Sequence, residues 1–261
     1  GLELAHTKYG RKKWMEAIAP AIELATKGFP LAPRAAESLQ GAGNLAKDAE
    51  SKRIFQKNGA FFRAGDRLIQ PELAATLRRI ASSGSRDFYQ GETAKRLAAE
   101  MAKHGGLITL ADLAAYQAVE RKPLTGSYRG LTILTAPPPS SGGVGLLQML
   151  GMLEGSGYEK SGAGSAATIH YTTEVMRRFF ADRSQYLGDP DFVKLPLAGL
   201  LDPMYIRQRQ ASINVNRATP SKQLGPGKPN GSEGMETTHY SIVDAEGNAV
   251  AVTYTLNNGY G

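Results

Sequence analysis

From Met235 to Asn258 the chain reads METTHYSIVDAEGNAVAVTYTLNN, and no other stretch limits the fold so tightly. Two runs of strand character, THYSIV and AVAVTYTL, flank DAEGN and predict a β-hairpin. A three-residue loop, Ala245-Glu246-Gly247, suits the join, because such loops want a left-handed residue last and glycine adopts that conformation without steric cost. That loop pairs Asp244 with Asn248, so paired residue numbers sum to 492 and Thr237 faces Thr255. Directly opposed side chains of this kind have Cβ atoms about 4.5–5.5 Å apart, within hydroxyl contact. Alternation places Thr238, Tyr240, Ile242, Val250, Val252, Tyr254 and Leu256 on one face, expected to meet a core. The other face carries Thr237, His239, Ser241, Ala249, Ala251, Thr253, Thr255 and Asn257. A loop one residue different would pair Thr237 with Tyr254 instead, since register decides which side chains meet.

Threonine favours strands, so an amphipathic sheet edge accounts for this pattern too. The chemical reading is a threonine hydroxyl activated by its own terminal amine, which requires Thr237 to become a chain terminus. The residues ahead of it, 218–236, include TPSKQLGPGKPNGSEGME and are rich in Gly, Pro, Ser and Lys. They are expected to form a mobile, solvent-exposed loop that lets the bond before Thr237 strain and break.

Upstream, the pattern is helical, then stranded, then helical again. WMEAIAPAIELATKGF, Trp14 to Phe29, is expected to set Ile18, Ile22, Leu24 and Ala25 on one side and to stop at Gly28. Pro71 suits the first position of a helix through ELAATLRRIASS, and GETAKRLAAEMAKHGG ends on paired glycines. Thr109 and Asp112 are spaced as a capping box. Two strands are expected between Ala118 and Ala136, followed by PPPSSGG and a helix capped by Ser140 or Ser141. A long helix over Ser165–Tyr186 ends before the Gly188-Asp189-Pro190 turn. No fixed-period repeat is present, which excludes solenoids and propellers.

Several motifs carry no chemistry of their own. Gly41 to Ala46 matches GxGxxA, but its approach, PRAAESLQ, is helical, and a dinucleotide fingerprint needs a preceding strand. Gly142 to Gly145 could nest an anion, yet without a P-loop lysine and serine the run reads as a tight turn that permits close packing. His170 and Glu174 share a helix face, a pair more often structural than metal-binding. The absence of cysteine excludes disulfides, thiol catalysis and Cys-ligated zinc. No cofactor or metal is expected. Net charge is +7, but Lys and Arg are dispersed among acids and no aromatic residues interleave with a basic stripe, so nucleic acid is not an expected partner. No apolar run reaches the ~20 residues that span a bilayer.

With these residues in view, the chain resembles the γ-glutamyltranspeptidase family, whose fold is that of the N-terminal-nucleophile hydrolases. The resemblance rests on TTHYSIVDAEGNAVAVTYTLNN and, upstream and in the family's order, on GGLITLADLAAYQAVERKPLTGSYRG, APPPSSGG, RRFFADRSQYLGDPDF and LPLAGLLDPMYI. It implies an α+β fold, an αββα sandwich of two stacked, mainly antiparallel sheets flanked by helices. It further implies a precursor that cuts itself at Glu236–Thr237, leaving 1–236 as part of a large subunit and 237–261 as the start of a small one, both within one domain.

By the same resemblance, Thr237 is the nucleophile, Thr255 hydrogen-bonds its hydroxyl, and Asn257 binds the α-amino acid end of the donor. The implied donors are γ-glutamyl amides such as glutathione, with water, amino acids or dipeptides as acceptors, in the periplasm or outside the cell. The family's carboxylate-gripping arginine is expected upstream of Gly1, and the rest of its donor pocket downstream of Gly261, so the chain is read as a fragment. Alternatives of the same fold are a cephalosporin-type acylase, a poly-γ-glutamate transpeptidase or an unprocessed, non-catalytic scaffold.

Overall fold

A computed structural model describes residues 1–228 and 238–254. The chain divides into two compact units, Gly1–Glu120 and Arg121–Gly261.

The first unit comprises helices α1 (Leu2–Tyr9), α2 (Trp14–Lys27), α3 (Pro33–Gly41), α4 (Ala49–Phe55), α5 (Pro71–Ser83), α6 (Ser85–Gln90), α7 (Glu92–Lys103) and α8 (Leu110–Ala115). Strands β1 (Phe29–Pro30), β2 (Gln56–Lys57), β3 (Ala60–Phe61) and β4 (Arg67–Leu68) join as two short antiparallel ladders, β1 with β4 and β2 with β3. As expected, α2 stops at Gly28, which takes φ +69° and donates its N–H to Leu24 O at 2.8 Å. Trp14 Nε1 donates to Ile80 O at 2.9 Å and fixes the start of α2 against α5.

One expectation fails on α2: Ala25 is buried and Ile18 and Ile22 are half-buried, but Leu24 is 53% exposed. At 100° per residue Leu24 lies about 120° around the helix from Ile18, which takes it off that face. Pro71 opens α5, and Thr109 and Asp112 form the full capping box on α8. A core of Leu31, Leu39, Ala42, Leu45 and Leu68 is flanked by Phe55, Phe61 and Phe62. The GxGxxA match begins at the last residue of helix α3, so it has no strand before it and no βαβ context.

The second unit opens with the antiparallel pair β5 (Leu124–Tyr128) and β6 (Leu131–Thr135). Arg129 and Gly130 join them, both at positive φ, as a two-residue hairpin requires. Then come α9 (Ser141–Leu153), α10 (Ala166–Tyr186), α11 (Leu197–Leu200), α12 (Pro203–Ala211) and the hairpin β7 (Thr238–Val243) and β8 (Ala249–Tyr254). Ser165 caps α10 by accepting the Thr168 N–H at 3.2 Å, whereas Ser140 sits at the N-cap of α9 without a side-chain cap bond.

Gly142 to Gly145 lie inside the first turn of α9, not in a turn ahead of it, and the close packing expected of them is present. A Cβ on Gly143 would strike the Ala136 carbonyl, and one on Gly145 the Phe179 ring. That approach joins α9 to α10 through Val144 and Phe179, in a core with Tyr186, Leu187 and Leu200; a second core gathers Met152, Tyr171 and Val175. Helices and antiparallel ladders make the class α+β, as expected. Among the described residues no helix is long and apolar enough to cross a membrane.

Candidate functional site

Glu236, Thr237, Thr255 and Asn257, on which the sequence places the chemistry, lie outside the described residues. The chain through Lys228 and that from Thr238 to Tyr254 are described.

Downstream, β7 and β8 pair from Val243↔Ala249 to Thr238↔Tyr254, so paired numbers sum to 492 along the whole ladder, the register derived from the loop. The loop explains why. Asp244 Oδ1 accepts the N–H groups of Glu246 and Asn248 at 3.0 and 2.9 Å, and Oδ2 accepts Asn248 Nδ2 at 2.8 Å. The Asn248 amide, first among these contacts, holds the Asp244 carboxyl below its usual range. Gly247 closes the turn at φ +81°, the left-handed residue that the three-residue loop needs. The core-facing expectation is not met in this chain: Ile242 and Val250, opposite each other, are 59% and 54% exposed. A two-stranded ribbon cannot cover its own face and needs a second layer to do so.

Upstream, the segment after α12 is held to α10 by a buried polar stripe. Glu174, Arg178, Asp182 and Tyr186 recur every four residues, so the helical repeat sets them one above another on the same side. Glu174, Arg178 and Asp182 are each 1% exposed. Arg178 donates through Nε to Ser212 Oγ at 2.8 Å, through Nη2 to Ser212 O at 2.6 Å and through Nη1 to Glu174 Oε2 at 2.6 Å. Glu174 also accepts the Thr219 hydroxyl at 2.5 Å, the Thr219 N–H at 3.2 Å, and Arg177 Nη1. Burial pushes the Glu174 carboxyl up, but the bonds from Thr219 and Arg178 outweigh it and lower it to about 2.

Two turns beyond Glu174, Asp182 accepts the Gly227 N–H at 2.8 Å, the Tyr205 hydroxyl at 2.8 Å and Arg209 Nη2 at 2.9 Å. Here burial dominates, and the Asp182 carboxyl is raised above its usual value despite those partners. Burial, then Asp182, also raise the Tyr205 phenol. Tyr186 donates its hydroxyl to Gly227 O at 2.7 Å, so both backbone polar groups of Gly227 are bound from α10. Arg209 adds bonds to Gly225 O at 3.3 Å. The stretch of 218–236 that is described, through Lys228, is thus tied down at Thr219 and at Gly225–Gly227.

The sequence signal for this stripe is the i, i+4, i+8, i+12 spacing of Glu174, Arg178, Asp182 and Tyr186, of which the His170–Glu174 pair covers only the first member. The structure separates that pair's roles. His170 Nε2 meets Asn214 O at 2.8 Å, while Glu174 binds arginines and Thr219. Among the described residues no three His, Asp or Glu side chains gather as a metal site.

A family model described as Gamma-glutamyltranspeptidase matches residues 1–261. The glutathione hydrolase proenzyme of Escherichia coli (strain K12) is 46% identical over 263 residues, covering 100% of this chain and 45% of that protein. The structure of Helicobacter pylori gamma-glutamyltranspeptidase superposes with a TM-score of 0.82 at 41% identity, covering 87% of this chain and 66% of that one. Cephalosporin acylase from Bacillus halodurans superposes at 0.83 with 27% identity, covering 97% of this chain and 46% of that one. The fold is therefore that of the N-terminal-nucleophile hydrolases. The chain spans about half the length of the E. coli relative.

Proposed function

Because the chain belongs to the gamma-glutamyltranspeptidase family, we propose that its protein is an autoprocessing γ-glutamyltransferase and hydrolase with Thr237 as nucleophile. The observation that carries this reading is the hairpin register. Its last described pair, Thr238↔Tyr254, adjoins the two positions, 237 and 255, that the same pairing arithmetic sets opposite each other.

In the proposed maturation the Thr237 hydroxyl attacks the Glu236 carbonyl carbon. The C–N bond breaks, the threonine nitrogen takes up the proton, and the large-subunit portion is left as an ester on Thr237 Oγ1. Water cleaves that ester, giving a carboxyl at Glu236 and a free hydroxyl and α-amine on Thr237.

An α-amine titrates near ~7.7–8.0, so a useful neutral fraction is present at physiological pH to accept the hydroxyl proton in turnover. Thr237 then attacks the γ-carbonyl of a γ-glutamyl amide such as glutathione, and the protonated amine leaves. Water or the amine of an amino acid or dipeptide resolves the γ-glutamyl ester. Thr255 hydrogen-bonds the Thr237 hydroxyl, and Asn257 receives the α-amino acid end of the donor. The acylase likeness bears on which acyl group is taken, and greater identity to the glutathione hydrolase favours γ-glutamyl.

The test uses the full-length protein. After incubation, mass spectrometry and N-terminal sequencing are expected to give two chains, one beginning at Thr237, and a γ-glutamyl anilide to give a γ-glutamyl ester on that residue. Thr237→Ala is expected to remain a single chain without turnover. A stable single wild-type chain that forms no ester would refute the proposal, and cleavage of Thr237→Ala at the same bond would refute the choice of nucleophile.

A further inference from the structure

We infer that Asp182, Tyr186, Tyr205 and Arg209 are positioning residues for chain cleavage: they clamp Gly227 and thereby fix the upstream end of the segment that carries the Glu236–Thr237 bond. The inference rests on the reading given under Proposed function and assigns to that reaction residues far from it in sequence.

The clamp is built for one backbone position. Asp182 and Tyr186, a helical turn apart on α10, take the N–H and the C=O of the same residue, at 2.8 and 2.7 Å. Tyr205 and Arg209, both from α12, hold the Asp182 carboxylate from the other side, and Arg209 reaches on to Gly225 O. The occupant has to be glycine, because a Cβ at 227 would run into the Tyr205 hydroxyl and come within 2.8 Å of its Cζ and Cε2. A solvated connecting loop does not need an almost fully buried carboxylate with three donors on it, since burying a charge is costly unless every lone pair is satisfied.

Spacing supplies the function. Downstream, the chain enters the β7–β8 ladder at Thr238. Between the clamp and that ladder lie ten residues, 228–237, and the scissile bond is the last peptide bond among them. If Gly225 and Gly227 are released together, the next bonded residue upstream is Ser221, whose hydroxyl accepts Arg177 Nη2 at 3.2 Å. The span between bonded residues then becomes 222–237, sixteen residues. The probability of holding two chain ends at a set separation falls roughly as the 3/2 power of length, so release lowers it about twofold.

The experiment follows cleavage of freshly synthesised full-length precursor by electrophoresis, with the new N-terminus sequenced. Two variants reach the same span by different routes. Gly227→Ala removes the clamp's occupant, and a six-residue Gly-Ser insertion after Lys228 lengthens the span while leaving the clamp intact. Each is expected to slow cleavage about twofold, while kcat and KM of the fully cleaved enzyme on a γ-glutamyl anilide stay at wild-type values. Asp182→Asn is expected to slow cleavage in the same direction. Wild-type cleavage rates in Gly227→Ala or in the insertion variant overturn the inference, and so does a matching fall in kcat of the cleaved enzyme, which would mark a general structural defect. Failure of the wild-type precursor to expose Thr237 is a different result, and it removes the underlying functional reading itself.

Discussion

Glu174→Gln tests the electrostatics of the α10 stripe. Glu174 is 1% exposed and accepts hydrogen bonds from Arg177, Arg178 and both donors of Thr219. Glutamine keeps one acceptor oxygen but places an NH2 group against donors, and it leaves the buried Arg178 guanidinium without its counter-charge. The carboxyl is lowered from 4.5 to about 2, and at about 1.4 kcal/mol per pKa unit its ionised form contributes about 3 kcal/mol at pH 7. Breaking a buried ion pair by removing one partner costs about 3–5 kcal/mol, so two independent routes converge.

The sign follows from the depressed value. The contribution is complete above about pH 4.5 and is lost as pH falls toward 2, leaving about 1.4 kcal/mol at pH 3. Urea unfolding of wild type and Glu174→Gln at pH 7 and pH 3 is therefore expected to show a stability gap of about 3 kcal/mol that narrows by about 2 kcal/mol on acidification. Taking the difference between the two proteins cancels carboxylates common to both. A gap below about 1 kcal/mol at pH 7, the range of exposed pairs, or one that does not narrow, would refute the account of Glu174 as a buried, charge-paired anchor.

Gly145→Ala drives a methyl group into the Phe179 ring, which is 4% exposed, and is expected to cost about 1–3 kcal/mol as overpacking; an unchanged melting temperature would contradict the close helix approach. Thr109→Ala removes the acceptor for the Asp112 N–H and the hydroxyl that bonds the Asp112 carboxylate. A loss of about 1 kcal/mol is expected, with faster hydrogen exchange at the start of α8 and recovery in Thr109→Ser; equal exchange in Thr109→Ala and Thr109→Ser would show that the cap contributes nothing.

Local rules reached far into this fold where the determining contacts are themselves local. Gly28 ends α2, Pro71 begins α5 and Thr109 caps α8 because each act involves a residue and its neighbours within four positions. The hairpin register was legible for the same reason: Asp244, Gly247 and Asn248 settle the loop, and the loop settles every pair up to Thr238↔Tyr254. Leu24 shows where a coarse pattern misleads, since an apolar residue between Ile22 and Ala25 still lies on another side of the helix.

The sequence by itself determined the main helices, the β5–β6 strands, the hairpin pairing and, through its ordered motifs, the family, but not the short ladders of β1 with β4 and β2 with β3. Tertiary structure alone decided that 219–227 is bound to α10 and that Gly227 sits where no side chain fits. Composition sees glycine, proline and lysine there and reads a loop. It cannot see that Asp182 and Gly227, forty-five residues apart, meet at 2.8 Å. Nor could charge pattern tell that two carboxylates eight residues apart on one helix shift in opposite directions. Both are buried, and the balance between burial and the donors that each meets is set by how α12 and the following chain fold back onto α10.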